Sequence, residues 1–195
     1  MQPMYHPEWN IAKCILKMKV SEHNNWLIVN DGELNHFNIN KILVRIIKQD
    51  VDIEKLDLSN NLIDGAIHWN FLSNFKNLKT LILNDNKLQS HNDEINWKLL
   101  PDSLQVLDLS KNMYLKGKII WNELPKNLKV LDISQTSIIC KMDWNEIKKT
   151  NLIEICVDYN QISSSLRDDP LPLNWRMMTK SRKQTIFVLS KKDYE

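Results

Sequence analysis

Apolar residues along this chain follow a short pattern that returns at an almost constant interval. The pattern, L-x-x-L-x-L-x-x-N-x-L, is found five times, and its copies begin 25, 26, 24 and 24 residues apart. The copies are IEKLDLSNNLI from Ile53, LKTLILNDNKL from Leu78, LQVLDLSKNMY from Leu104, LKVLDISQTSI from Leu128 and LIEICVDYNQI from Leu152. A fixed period of this length predicts a stack of similar units.

The L-x-L centre of each copy predicts a short strand, because successive side chains of a strand point to opposite faces. One such unit cannot bury its apolar face alone, so the strands are expected to stack about 4.8 Å apart in a parallel sheet. An asparagine follows four of the five strands, and we expect its amide to bond main-chain groups of its own and of the neighbouring unit. The slot is filled by Asn61, Asn86, Asn112, Thr136 and Asn160.

A second signature follows each of the first four copies: an apolar residue, one spacer, a tryptophan, and an apolar residue three positions later. The tryptophans are Trp69, Trp97, Trp121 and Trp144. An aromatic stripe at the repeat spacing favours packing in the segment that returns behind the sheet. The alternative, a platform for stacking bases or sugars, is less favoured.

Residues 53–166 resemble the leucine-rich repeat family in motif and in period. Gly65 and Gly117, each followed by isoleucine two positions later, resemble the plant-type and protist N-x-L-x-G-x-I variant, whose second short strand lies beside the main sheet. Ser90 and Cys140 replace this glycine in the second and fourth copies, so the second strand is less well specified there. The resemblance implies an α/β fold, a leucine-rich repeat solenoid with a curved parallel β-sheet in a horseshoe-like arc.

The ends of the chain depart from the pattern, as the caps of a repeat stack must. Apolar residues at helical spacing predict amphipathic helices at 7–19 and 38–49, and TIFVL at 185–189 predicts a final strand. A degenerate copy between the helices contains Leu27, Val29, Leu34 and, in the asparagine slot, Gly32. We therefore expect an N-terminal cap with helices, five repeats and a basic C-terminal cap, at residues 1–50, 51–166 and 167–195.

Composition narrows the class of protein. Apolar residues make up 43% of the chain and charged residues 26%, with a formal net charge of +2, which is typical of a folded domain with no global attraction to nucleic acid or membrane. Three cysteines do not form a disulfide framework, and we find no secretory leader, no apolar run of membrane-spanning length and no N-x-S/T sequon. We expect an intracellular, cytoplasmic protein, with nucleus or organelle as alternatives.

Candidate chemistry is sparse. The five histidines are scattered, the cysteines have no metal-ligand spacing, and no glycine-rich phosphate loop or nucleophile motif occurs. The sequence predicts no catalytic residue, no metal, no cofactor and no small-molecule substrate. An enzyme is therefore the least expected class.

The strand positions between the core leucines are expected to face outward and to bind a protein partner on the concave face. Asp57, Asp108 and Asp132 would form an acidic column there, and Ile82, Val106 and Val130 an apolar centre. The remaining predicted contact residues are Ser59, Asn84, Ser110, Ser134, Asp158 and Tyr159. This predicts a non-catalytic protein–protein interaction module or scaffold.

The C-terminal region suggests a different kind of function. It has an excess of positive charge that could contact RNA phosphates or an acidic surface, through Arg176, Lys180, Arg182 and Lys183. The alternative hypothesis is therefore a structural subunit of a large assembly, such as a ribonucleoprotein, anchored by this cap.

Overall fold

The computed structural model describes residues 25–30, 34–92, 94–158 and 161, together with the backbone of the strands at 175–179 and 186–191. The helix expected at 7–19 lies outside the described residues. So do Gly32, Tyr159, Asn160, Lys180, Arg182 and Lys183.

Most described strands belong to one eight-stranded sheet. The first six strands are parallel, and their register aligns the inward-pointing residues Leu27, Leu56, Leu81, Leu107, Leu131 and Ile155. Their bounds are Trp26–Ile28 (β1), Lys55–Asp57 (β2), Thr80–Ile82 (β4), Val106–Asp108 (β6), Val130–Asp132 (β8) and Glu154–Asp158 (β10). The chain is thus α/β, with a mostly parallel sheet made of repeated strands.

Two antiparallel strands complete this sheet at its C-terminal end. β12 (Ile186–Lys191) pairs with β10, and β11 (Trp175–Thr179) pairs with β12. The strand expected at 185–189 is therefore confirmed, whereas β11 had no sequence signal. The hairpin covers the outer edge of β10, which would otherwise leave main-chain groups unpaired.

Short second strands lie beside the main sheet in each of the first four copies. β3 (Asp64–Ala66) pairs with β5 (Lys87–Gln89), and β7 (Lys116–Lys118) pairs with β9 (Ser137–Ile139). The strand therefore forms even in the copies that lack glycine. Between β5 and β7 the link is instead a side chain, since the Ser90 hydroxyl donates to the main-chain oxygen of Lys116 and accepts from its N–H.

Gly65 shows what the glycine contributes where it is present. Its φ is +94°, and a Cβ built on it would lie 2.2 Å from Nδ2 of Asn38. Asn38 is the N-cap of the first helix, and its side chain accepts from the N–H of Asn40. Glycine is therefore needed both for the backbone conformation and for the space beside the helix cap.

Helical turns return the chain behind the sheet. Helix α1 (Ile39–Ile47) forms as expected, with Ile39, Ile42, Leu43 and Ile46 buried. The later units have shorter turns that begin at the repeated tryptophan: 3-10 helices at Trp69–Asn74, Trp97–Leu99 and Trp121–Glu123, and α2 at Trp144–Ile147. Within the described part of the chain, no helix has the length and apolar character needed to cross a membrane.

The repeated tryptophans lie in the interior of this layer. Trp69, Trp97 and Trp121 are buried, and Trp144 is half-buried against the same apolar core. That core is continuous from Leu27 on β1 to Val157 on β10. The prediction that the tryptophan stripe packs behind the sheet is confirmed.

A ladder of buried amides joins the units. The Nδ2 of Asn86 donates to Leu58 O in the preceding unit (2.9 Å) and to Leu83 O in its own (3.0 Å). Its Oδ1 accepts from the N–H of Ile63, again in the preceding unit (3.0 Å). Equivalent bonds to both units are made by Asn61 and Asn112. The expected role of the asparagine slot is confirmed for these three residues.

The fourth slot holds threonine in place of asparagine. The hydroxyl of Thr136 donates to Ile133 O in its own unit (2.6 Å). The amide that reaches back to this unit is Gln161, whose Nε2 donates to Ile133 O (2.9 Å) and to the hydroxyl of Thr136 (2.9 Å). Asn160, the residue predicted for this role, lies outside the described residues.

Replacing Asn112 by alanine tests the ladder. The change removes the buried amide that bonds the N–H of Leu88 and the main-chain oxygens of Leu83 and Leu109. Each buried main-chain group left without a partner costs about 1–3 kcal/mol. We expect the free energy of unfolding in urea to fall by about 3 kcal/mol. The control is Asn127→Ala, which loses one exposed bond to Asp102 O; equal losses for the two variants would contradict the role of the ladder.

Candidate functional site on the outer face of the main sheet

The main sheet has one face on the core and one face turned away from it. The central strand residues, such as Leu56 and Leu81, are fully buried in the core that also contains the helical turns. The residues on either side of them point the opposite way. We call this surface the outer face; its two rows are Trp26, Lys55, Thr80, Val106, Val130 and Glu154, and Ile28, Asp57, Ile82, Asp108, Asp132 and Cys156.

The N-terminal end of the outer face is apolar and exposed. Trp26 is 42% exposed and Ile28 is 46% exposed, although both are large apolar side chains. The Nζ of Lys55 lies 5.2 Å from the centre of the Trp26 ring, within cation–π range, and 3.7 Å from Oδ2 of Asp57. Sequence analysis did not include Trp26 and Ile28 in the site, although the degenerate copy around Leu27 already implied a strand there.

The middle of the outer face has the expected apolar character. Ile82, Val106 and Val130 occupy adjacent strands and are half-buried, with Thr80 and Asn84 beside them. β2 separates these three residues from the apolar end, because its outer-face residues are Lys55 and Asp57. The outer face therefore has a second apolar part, at Trp26 and Ile28, in addition to the three residues predicted.

The aspartate column is used partly for internal hydrogen bonds. Oδ1 of Asp108 accepts from the N–H (2.9 Å) and the hydroxyl (2.7 Å) of Ser110. The same pair of bonds joins Asp132 to Ser134, and Asp57 to Ser59. These bonds hold the chain where it leaves each strand. One carboxylate oxygen of each aspartate therefore stabilises the turn after its own strand.

The serines differ from expectation. Ser59, Ser110 and Ser134 are only 6%, 6% and 4% exposed, and Asp57 is also buried, at 8%. Their hydroxyls point to the aspartates, so they offer little surface to a partner. The alternation of side chains along each strand places these serines on the outer face. They are nevertheless buried, because the chain turns inward immediately after them.

Asp158 marks the acidic end of the outer face. Its Oδ2 accepts from the N–H of Gln135 (2.8 Å), while its Oδ1 is buried with no donor among the described residues. Burial raises the pKa of the Asp158 carboxyl, the Gln135 N–H opposes that rise, and the nearby charge of Asp132 adds to it. This end of the face would be stabilised by a cation brought from outside.

The remaining candidate residues do not form a chemical site. Burial raises the pKa of the Cys140 thiol to about 12, so this cysteine is not a reactive thiolate near neutral pH. Among the described residues, no group of three or more histidine, cysteine or acidic side chains could hold a metal ion. Arg176 lies on β11, at the far edge of the main sheet.

Comparisons with known proteins found no match to this chain among protein-family models, curated proteins or solved structures.

Replacing Asp158 by asparagine tests the electrostatics of the acidic end. Because the folded pKa lies above the unfolded value, the wild-type protein loses stability as pH rises through the interval between them. Asparagine can still accept from Gln135 and carries no charge beside Asp132. At about pH 7 we expect Asp158→Asn to have a higher urea midpoint than the wild type. At about pH 3 we expect no difference, because residue 158 is then neutral in both proteins.

The control for this experiment is the exposed Asp102→Asn, which should leave the midpoint unchanged at both pH values. An Asp158→Asn protein that is less stable than wild type at neutral pH would show that the carboxylate is well compensated.

Proposed function

We propose that this chain is a leucine-rich repeat protein and that its outer face, the concave face of the solenoid, binds a protein partner. Three features support the family assignment: the L-x-x-L-x-L-x-x-N-x-L copies, one parallel strand for each copy, and asparagine amides that link neighbouring copies. No described residue set suggests a reaction, so the proposal is a binding module without catalysis.

The observation that carries the binding proposal is the outer face itself. Its side chains run in register across six parallel strands, and the described helical turns pack on the opposite side. Standard protein interfaces use about 20–30 residues from each partner. Asp57 and Cys156 are buried, and the other ten residues of the two rows are at least partly exposed and supply about half of such a surface.

The distribution of side chains along the outer face supports a particular kind of partner. One end is apolar, with Trp26 and Ile28 exposed, and the other end holds Asp132, Glu154 and Asp158. An aromatic anchor with a charged end is typical of interfaces that bind one partner in one orientation. The partner segment that fits has an apolar anchor at one end and lysine or arginine at the other.

Charge removal on the outer face tests this proposal. Asp108→Asn with Asp132→Asn removes two negative charges while asparagine keeps the acceptor for Ser110 and Ser134, so the turns are preserved. Substitution by lysine would break those bonds and mix folding with binding. We expect the affinity for the partner to fall by about tenfold or more.

The matched control is Asp64→Asn with Asp102→Asn, which makes the same charge change at exposed positions outside the outer face. The partner is first isolated with the tagged wild-type chain from its native source, at two salt concentrations and with or without nuclease. Binding of both double variants is then measured by calorimetry. Equal affinity of the two variants would exclude the acidic half of the face.

The same purification distinguishes binding through the outer face from the alternative function, a structural subunit of a large assembly. A whole assembly that is lost on nuclease treatment or at the higher salt concentration would favour a ribonucleoprotein subunit held through the basic C-terminal region, since phosphate contacts weaken steeply with salt. A single partner that survives both treatments would favour the outer face.

A further inference from the structure

The second strands of the third and fourth copies form a surface of their own, separate from the outer face. Leu115, Gly117 and Ile119 are buried along β7, so the residues between them point outward. β9 pairs with β7 in parallel, and its central residue Ile138 is buried as well. We call the exposed positions of these two strands and of the residues just after them the side face; they are Lys116, Lys118, Ile120, Ser137, Ile139 and Lys141.

Lysine and isoleucine alternate across the side face. Lys118 lies directly opposite Ile139 in the register of the two strands. The N–H of Ile119 donates to Ile139 O (3.1 Å), so the pairing continues one step beyond the strands. Ile120 and Lys141 are the next opposed pair. Ile120 is 43% exposed and Ile139 is 49% exposed, and each of them has a lysine as its cross-strand neighbour.

A turn with two further apolar side chains borders the side face. Met113 is 67% exposed and Tyr114 is 58% exposed, more than any other large apolar side chain in the described part of the chain. Asn112 is followed by its next buried apolar residue, Leu115, after two positions, whereas the first, second and fourth copies have one position there. The hydroxyl of Ser137 donates to Met113 O (2.7 Å) and holds this turn beside β9.

The side face has an excess of positive charge. Its three lysines are exposed, and no position of the face or of the adjoining turn holds an acidic residue. Glu94 and Glu123 line a cleft together with Lys118, and Glu123 pairs with Lys98 (3.0 Å). A binding partner that fits the side face is therefore anionic and also accepts apolar side chains.

The alternation of lysine and isoleucine favours a lipid surface over a protein. In protein interfaces charged residues are depleted from the core, and lysine is depleted overall. On the side face every isoleucine has a lysine beside it, so a protein partner would have to bury these charges together with the apolar side chains. At a membrane surface, apolar side chains enter between the lipids while lysine keeps its ammonium group at the level of the headgroups. Tyrosine is also enriched at this level.

We propose that the side face binds the surface of a membrane that contains anionic phospholipids. Ile120, Ile139 and Met113 enter the boundary between headgroups and acyl chains, and Tyr114 lies among the headgroups. The lysine ammonium groups pair with the anionic groups of the lipids, which move freely enough to match each lysine. The side face is formed by strands outside the main sheet, so this site is independent of the proposed protein-binding site.

Flotation with vesicles tests the proposal on the full-length chain. The probes are vesicles of phosphatidylcholine alone and vesicles that also contain phosphatidylserine. We expect the apparent Kd to be at least about tenfold lower for the vesicles with phosphatidylserine, because each lysine near an anionic surface adds to the binding. Binding to these vesicles should weaken as the salt concentration rises.

Variants of the lysines test the electrostatic part. Lys118→Gln with Lys141→Gln should weaken binding to the phosphatidylserine vesicles by about tenfold or more, and both positions are exposed, so the fold is kept. The matched control is Lys48→Gln with Lys76→Gln, which makes the same charge change at exposed positions outside the side face. The control should stay within about twofold of wild type.

Variants of the isoleucines test the apolar part. Ile120→Ser with Ile139→Ser should also weaken binding by about tenfold or more, since the binding strength scales with the apolar area that enters the lipid. The matched control is Leu62→Ser with Ile153→Ser, which removes two exposed apolar side chains elsewhere. This control should bind like the wild type.

Four results would overturn the proposal. The first is no binding to vesicles with phosphatidylserine. The second is an equal loss in the lysine variant and its control, which would show that only the overall charge matters. The third is unchanged binding of the isoleucine variant, which would show that nothing enters the lipid. The fourth is release of the bound chain by soluble glycerophosphoserine, which would show that a free headgroup, and not a membrane surface, is recognised.

Discussion

The hydrogen bonds of the buried side-chain amides are the constraint on which the other features of this chain depend. Each strand ends in a turn that leaves main-chain groups buried between units, and a buried unpaired group is costly. Asn61, Asn86 and Asn112 each satisfy such groups in two neighbouring units. The bonds require a fixed distance between units, so the leucines behind the strands and the tryptophans of the returning turns meet in register. Where threonine interrupts the ladder at position 136, Gln161 reaches back to continue it.

This arrangement separates stability from recognition. The ladder and the continuous core hold the units together from within, and the outer positions of the strands are not needed for that purpose. Large apolar side chains can therefore be exposed at Trp26 and Ile28 without loss of the fold. The separation is incomplete, because the aspartates of the outer face also hold their own turns through Ser59, Ser110 and Ser134.

Much of the architecture could be predicted from the sequence because it depends on local patterns. The period located the parallel strands, the alternation identified the buried leucines, and the spacing of the tryptophans placed them in the core. The candidate site was predicted less well. The alternation of side chains along the strands predicted Ser59, Ser110 and Ser134 on the exposed surface. They are buried instead, because a turn immediately follows each strand. The outer face also extends to Trp26, in a copy too degenerate for the consensus to show its full extent.

The sequence by itself determined the unit: where each strand lies, which side chains point inward and which residues end the strand, because these depend on neighbours a few positions away. Only the tertiary structure decided what happens between units. It selected Gln161 for the ladder and placed Asp158 beside Asp132. Each of these depends on the distance between residues about 20 to 30 positions apart, which the stacking of whole units sets and no local pattern records.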